Sequence, residues 1–268
     1  MPQWYNDLYV YDGKLGFERK EVYQRIVRIR QENPNAYKIL ILGDSVTQLV
    51  KYSDYFKELL LKRYPHEKIE VINAGVMGYD TELEYRYLKY RGLDLDPDLV
   101  IVQFCVNDFQ GVPLVVKGSS RRWVAFDSHN RFLTKFINTR LMEVSRLYEF
   151  SVLATLSIAN LAAPQKDNVK VPLQKINAML KEKDIAFYFL IFPYLGSDAY
   201  GKERYGVMIE IVKELGLEAN TLDLSLAFSR KSAVDVQQDS IHPSDEGNLI
   251  AAEALLEKLA PYLDTVLR

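Results

Sequence analysis

Five short apolar runs, at residues 38–43, 69–73, 99–104, 185–192 and about 219–223, alternate with segments whose apolar residues recur at helical spacing. A run of this kind between polar turns suits a strand buried on both faces, and a helix after each strand returns the chain to begin the next one in the same direction. The chain therefore reads as α/β: a three-layer α/β/α sandwich around a central, mainly parallel, five-stranded sheet. Helices are expected at 53–64, 81–91, 171–183 and 202–215, with a last one from near Ser244 through Leu259. Thr81 and Glu84 have the spacing of a capping box, and Asp245 and Glu246 suit the positive end of the last helix. Residues 19–30 place apolar and charged side chains on different faces and read as an amphipathic surface helix.

The alternation breaks once, between Asp108 and Lys170. With no repeat, low-complexity tract or linker, and with 48% hydrophobic residues over 268, the expectation is a single domain, 1–268, carrying an insertion at about 109–170. Long insertions beside a sheet edge often carry function, so this one is expected to form a pocket wall or lid. It contains Trp123, Phe126, Phe132, Phe136, Leu141, Met142, Leu147, Tyr148 and Phe150, interleaved with Arg121, Arg122, Arg131, Arg140 and Arg146. Ser151 to Ala163 is apolar, ends at Pro164 and reads as a packed helix.

Lys and Arg number 34 against 36 Asp and Glu, and the signs are mixed along the chain, so nucleic acid is not an expected partner. One cysteine excludes an intramolecular disulfide. No apolar run approaches the ~20 residues of a membrane span, and residues 1–7 lack the apolar segment of a signal peptide. As written the chain reads as cytoplasmic; removal of an amino-terminal segment from an exported or tethered protein would leave the same text. The three histidines are scattered, and the turn after the first strand lacks the lysine and glycines of a phosphate loop, so no metal, nucleotide or other cofactor is expected.

The first strand stops at Gly43-Asp44-Ser45, and the chain later carries Asp239-Ser240-Ile241-His242-Pro243. A serine hydroxyl is a poor nucleophile until an imidazole accepts its proton, and a carboxylate fixes that imidazole's tautomer. A strand ending in a tight turn presents Ser45 at the carboxyl edge of the sheet, where open α/β folds place their ligands. His66 and His129 lack a carboxylate at the matching spacing in a strand-to-helix loop, whereas His242 has Asp239 three residues before it and is the candidate base. Asp44 adjoins the serine but points elsewhere and is read as an acceptor bracing the turn; Asp239 is the better acid. Gly75, after the second strand, is read as an ordinary loop glycine.

With these residues the chain resembles the SGNH or GDSL hydrolases in four separated blocks. Gly43-Asp44-Ser45 matches the nucleophile block, Asn73-Ala74-Gly75-Val76-Met77-Gly78 the second, Val106-Asn107-Asp108 the third, and Asp239 with His242 the last. The resemblance implies a flavodoxin-like fold, a triad of Ser45, His242 and Asp239, and an oxyanion hole made by the Ser45 and Gly78 amides and the Asn107 side chain. Asp108 is then a support for the loop that carries Asn107. Cys105 and Leu49 depart from the pattern, each standing where glycine is usual. The implied activity is ester hydrolysis, with small-acyl or carbohydrate-linked esters as the first choice. Lysophospholipase or thioesterase activity on longer chains, and O-acetyl transfer by the same triad, are the alternatives, and a silent binding module is a further one.

Overall fold

The computed structural model describes residues 9–12, 14–109, 113–117, 123–127, 137–160, 166–197 and 199–267. In chain order the strands are β1 (Tyr9–Asp12), β2 (Gly16–Arg19), β3 (Tyr37–Leu42), β4 (Ile69–Asn73), β5 (Leu99–Phe104), β6 (Pro113–Lys117), β7 (Trp123–Asp127), β8 (Ala186–Ile191) and β9 (Thr221–Asp223). The helices are α1 (Lys20–Glu32), α2 (Ser45–Leu49), α3 (Tyr52–Arg63), α4 (Thr81–Tyr90), α5 (Thr139–Val144), α6 (Arg146–Asn160), α7 (Lys166–Glu182), α8 (Ala199–Glu214), α9 (Ser225–Phe228), α10 (Ala233–Val236) and α11 (Asp245–Val266).

β3 and β5 lack polar alternation because both of their faces are covered: all six residues of β5 are buried, as are five of the six in β3. Five parallel strands lie in the order β4-β3-β5-β8-β9, with Ile39 opposite Val71 and Leu99, and Val102 opposite Phe189. The chain thus leaves β3 toward one edge, returns past it to β5 and then winds to the other edge. This is the flavodoxin-like order, whose reversal point lies between β3 and β5 at their carboxyl ends. On the flanking layers α3 packs against α11, and α4 against α7.

All five expected core strands and the expected helices are present, with shifted ends. The helix expected from 171 begins at Lys166, the one expected from 202 begins at Ala199, and α11 continues past Leu259 to Val266. Ser244 caps α11, its Oγ accepting from the Gly247 amide at 3.2 Å. The Thr81–Glu84 capping box does not form. Asp80 is the cap of α4 instead, accepting from the Leu83 amide at 2.9 Å, because the Thr81 hydroxyl is drawn to Asp108 at 3.0 Å and Glu84 faces the interior. Local spacing allowed either cap, and tertiary packing chose.

Two hairpins were not expected: β1 with β2, and β6 with β7. The second lies in the 109–170 segment. Of the residues named there, Phe132, Phe136, Arg121, Arg122 and Arg131 lie outside the described residues, as do His129 and Pro164. In α5 and α6, Met142 and Val152 are buried with Ile137 and Tyr148 against them, a small core separate from the main one. Leu147 and Phe150 are instead 76% and 70% exposed, so α6 is packed along one side only over its first turns.

Candidate active site

Ser45 begins α2 directly after β3, and the turn between them is set by packing. A Cβ at Gly43 would lie 2.1 Å from Thr47 Oγ1 and 2.4 Å from Gln103 Oε1, so only glycine fits. Asp44 is fully buried and braces the turn with both oxygens: Oδ1 accepts from the Val46 amide at 2.8 Å, and Oδ2 accepts from Asn107 Nδ2 at 2.8 Å. The strand-end loops of β3 and β5 are thereby joined across the reversal point of the sheet. Gln103, buried in otherwise apolar β5, accepts from Thr47 Oγ1 at 2.8 Å and from the Asp44 amide at 3.3 Å. A glutamine in such a strand was the one available sign of this support, and sequence reasoning passed over it.

The last block reaches the serine from the other end of the chain. His242 Nε2 lies 2.9 Å from Ser45 Oγ, and His242 Nδ1 lies 2.8 Å from Asp239 Oδ2. The other Asp239 oxygen accepts from the Ile241 amide at 2.8 Å and the His242 amide at 2.7 Å. Burial raises the Asp239 pKa, but these amides and the imidazole outweigh it and hold the carboxyl below its usual range. An ionised Asp239 calls for the Nδ1–H tautomer, which leaves Nε2 to accept a proton from Ser45. The loop is anchored by the Gln238 amide on the His242 carbonyl (2.9 Å) and the Leu195 amide on the Ser240 carbonyl (2.9 Å).

The second block lies alongside α2. Asn73 Nδ2 donates to the Thr47 carbonyl at 2.5 Å and to Ser53 Oγ at 2.8 Å, while its Oδ1 accepts from the Gly75 amide at 3.0 Å. Gly75 is more than an ordinary loop glycine: a Cβ there would lie 2.6 Å from the Gln48 amide nitrogen and 2.6 Å from Thr47 Cβ. Gly78 has φ +81°, in the left-handed region that favours glycine, and the space where a side chain would start is open. The amides of Ser45 and Gly78 donate to no described residue, and one Asn107 Nδ2 hydrogen remains beyond the bond to Asp44. Cys105 is buried and not at positive φ, so a side chain replaces glycine there without backbone strain; Leu49, at the end of α2, is 56% exposed.

Beneath the site lie four buried carboxyls: Asp44, Asp80, Glu84 and Asp108. Both Glu84 oxygens and Asp108 Oδ1 have no hydrogen-bond partner among the described residues. Burial pushes Glu84 and Asp108 well above the carboxylate range, and their acidic neighbours push them further; burial also raises Asp44, against the donors that hold it. Asp108, in the third block, accepts from the Thr81 hydroxyl at 3.0 Å. Among the described residues no group of three His, Cys, Asp or Glu side chains is arranged to hold a metal ion. No helix among them is long and apolar enough to cross a membrane.

The same fold is found in solved structures. LAE5, an alpha/beta hydrolase enzyme from the metagenome of Lake Arreo, Spain, is 17% identical with a TM-score of 0.57, over 84% of this chain and 95% of its own. Axe2, an acetylxylan esterase from Geobacillus stearothermophilus, is 18% identical with a TM-score of 0.55, over 83% and 94%. A search of curated protein sequences found no match. The sequence profile of the GDSL-like Lipase/Acylhydrolase family matches residues 41–250, a span that holds Ser45, Gly78, Asn107, Asp239 and His242. The chain belongs to the GDSL-like lipase/acylhydrolase family.

Proposed function

We propose that the protein is a serine ester hydrolase that works by two-step acyl transfer, and the observation that carries this is the unbroken line from Ser45 Oγ through His242 to Asp239. Ser45 attacks the ester carbonyl as His242 Nε2 takes its proton, and Asp239 stabilises the imidazolium that forms. The amides of Ser45 and Gly78, which donate to no described residue, and the remaining Asn107 hydrogen would receive the oxyanion. His242 then protonates the departing alcohol and activates the water that frees the acid.

The substrate class proposed is a small acyl group, such as acetyl, on a carbohydrate or other small alcohol. The structural likeness to Axe2 supports it. Initial rates on p-nitrophenyl esters from acetate to long acyl chains test the class. An optimum at short chains supports it, a long-chain optimum moves lysophospholipase or thioesterase activity ahead, and acyl delivery to an added sugar exceeding hydrolysis makes the protein an O-acetyltransferase.

Asp239→Asn is expected to lower kcat by a factor on the order of 10² to 10⁴, less than loss of the serine or the histidine, since the imidazole stays but its tautomer is no longer imposed. A loss as deep as that of Ser45→Ala, with an unchanged fold by circular dichroism, would show that Asp239 does more than orient His242.

A further inference from the structure

Gln48 lies one helical turn beyond Ser45 in α2, on the same face. Its Oε1 accepts two hydrogen bonds, from the Met77 amide at 2.6 Å and from the Tyr9 hydroxyl at 2.9 Å. Both lone pairs of that oxygen are thereby used. One bond reaches the second block a single residue before Gly78; the other reaches β1, which lies outside the 41–250 span shared with the family.

The β1–β2 hairpin touches the same loop at two further points. Arg19 Nη1 donates to the Gly75 carbonyl at 3.1 Å, and the Tyr79 hydroxyl donates to the Phe17 carbonyl. Buried rings fill the space between: Tyr9 meets Phe17 edge-on at 5.7 Å, and Phe17 meets Tyr79 at 5.2 Å. Glu18, at 7% exposure, is held by the Arg91 guanidinium at 3.0 Å, which ties the hairpin to the end of α4. The 75–79 loop is thus held on one side by α2 and on the other by a hairpin that belongs to this chain's own amino-terminal region.

We infer that Gln48, braced by Tyr9 of the amino-terminal hairpin, is a positioning residue for the oxyanion-binding loop, orienting the Gly78 amide by holding the Met77 amide. This rests on the proposed esterase reading and assigns the geometry of its oxyanion site to contacts outside the region shared with the family. The physical reason is that a donor for developing charge works only when fixed beforehand, and a glycine at φ +81° is a soft joint unless its neighbours are held. Fixing the Met77 amide holds the 76–77 peptide, whose Val76 carbonyl also accepts from the Tyr79 amide at 2.9 Å, so the 77–78 peptide is held from both sides and the Gly78 N–H keeps its direction while the attacked carbonyl becomes tetrahedral.

The test compares Gln48→Met, which keeps side-chain size but loses the acceptor, with Gln48→Glu, which restores it, and with Tyr9→Phe. For each, kcat and KM are measured on p-nitrophenyl acetate, together with the rate at which a fluorophosphonate labels Ser45. Gln48→Met is expected to lower both kcat and the labelling rate by about tenfold with KM little changed, because the loss is felt in the transition state. Gln48→Glu should recover most of both. Tyr9→Phe should lower kcat by roughly twofold to threefold, and combined with Gln48→Met it should add almost nothing, as expected of two residues acting through one contact.

Gln48→Met with wild-type kcat and labelling overturns the inference, and so does a loss that Gln48→Glu fails to restore. If Gln48→Met does not fold, Tyr9→Phe decides, and an unchanged labelling rate there overturns it. Wild-type protein that neither turns over esters nor takes the label rejects the esterase reading itself, an outcome distinct from both.

Discussion

Ser45→Ala is expected to lower ester turnover by a factor of about 10³ to 10⁶, and His242→Ala to do nearly the same. The two side chains act as one unit across a 2.9 Å contact, so the double variant should be scarcely worse than either alone. Neither change should unfold the chain: Ser45 and His242 are half-buried at loop ends rather than in the core. The measurement is kcat on a p-nitrophenyl ester beside a thermal melt. A purified, folded variant that keeps more than about a tenth of wild-type turnover would remove the triad from the proposal.

The second large effect concerns stability. Glu84→Gln is expected to raise the melting temperature at pH 8 by several degrees while changing little near pH 5. Burial, and then the charges of Asp44 and Asp80, raise the folded-state pKa of Glu84; burial and then Glu84, Asp44 and Asp80 raise that of Asp108. Both are free to ionise in the unfolded chain above about pH 4. The folded state therefore holds protons that the unfolded state releases, so stability is greatest below that point and falls as pH rises toward the folded-state values. A glutamine has no proton to lose, so its contribution does not fall as pH rises. About 1 kcal/mol moves the midpoint by roughly 2–4 °C in a domain of this size. Equal loss of melting temperature at pH 5 and pH 8 would show that Glu84 is held by packing rather than by its proton.

The same cluster shows why some of the sequence could be read and some could not. Ser45, Asp239 and His242 could be singled out as candidates because reaction chemistry admits few residue types, and the strand before Ser45 indicates which edge of the sheet it meets. Asp44 was legible as a brace, because a short carboxylate beside a tight turn has backbone amides within reach. Its second bond, to Asn107, was not, since it joins positions 63 residues apart. Glu84 was misread as a capping residue because the local pattern of α4 supports a capping box equally well. Gly75 was misread because its crowding comes from α2, a separate element that no local pattern connects with it.

By itself the sequence determined the strand and helix alternation, hence the parallel sheet, and which residues stand as candidates for acyl chemistry at its edge. Both follow from local rules: side-chain periodicity, turn residues and the chemistry of single functional groups. Only the tertiary structure decided which polar partners those groups meet. The hairpin seated on the 75–79 loop, the Gln48 contact and the carboxyls under Asn107 depend on distances between residues far apart in the chain. Such distances are set when the whole core closes, because burial demands a partner for each polar group but does not specify where in the sequence that partner must lie.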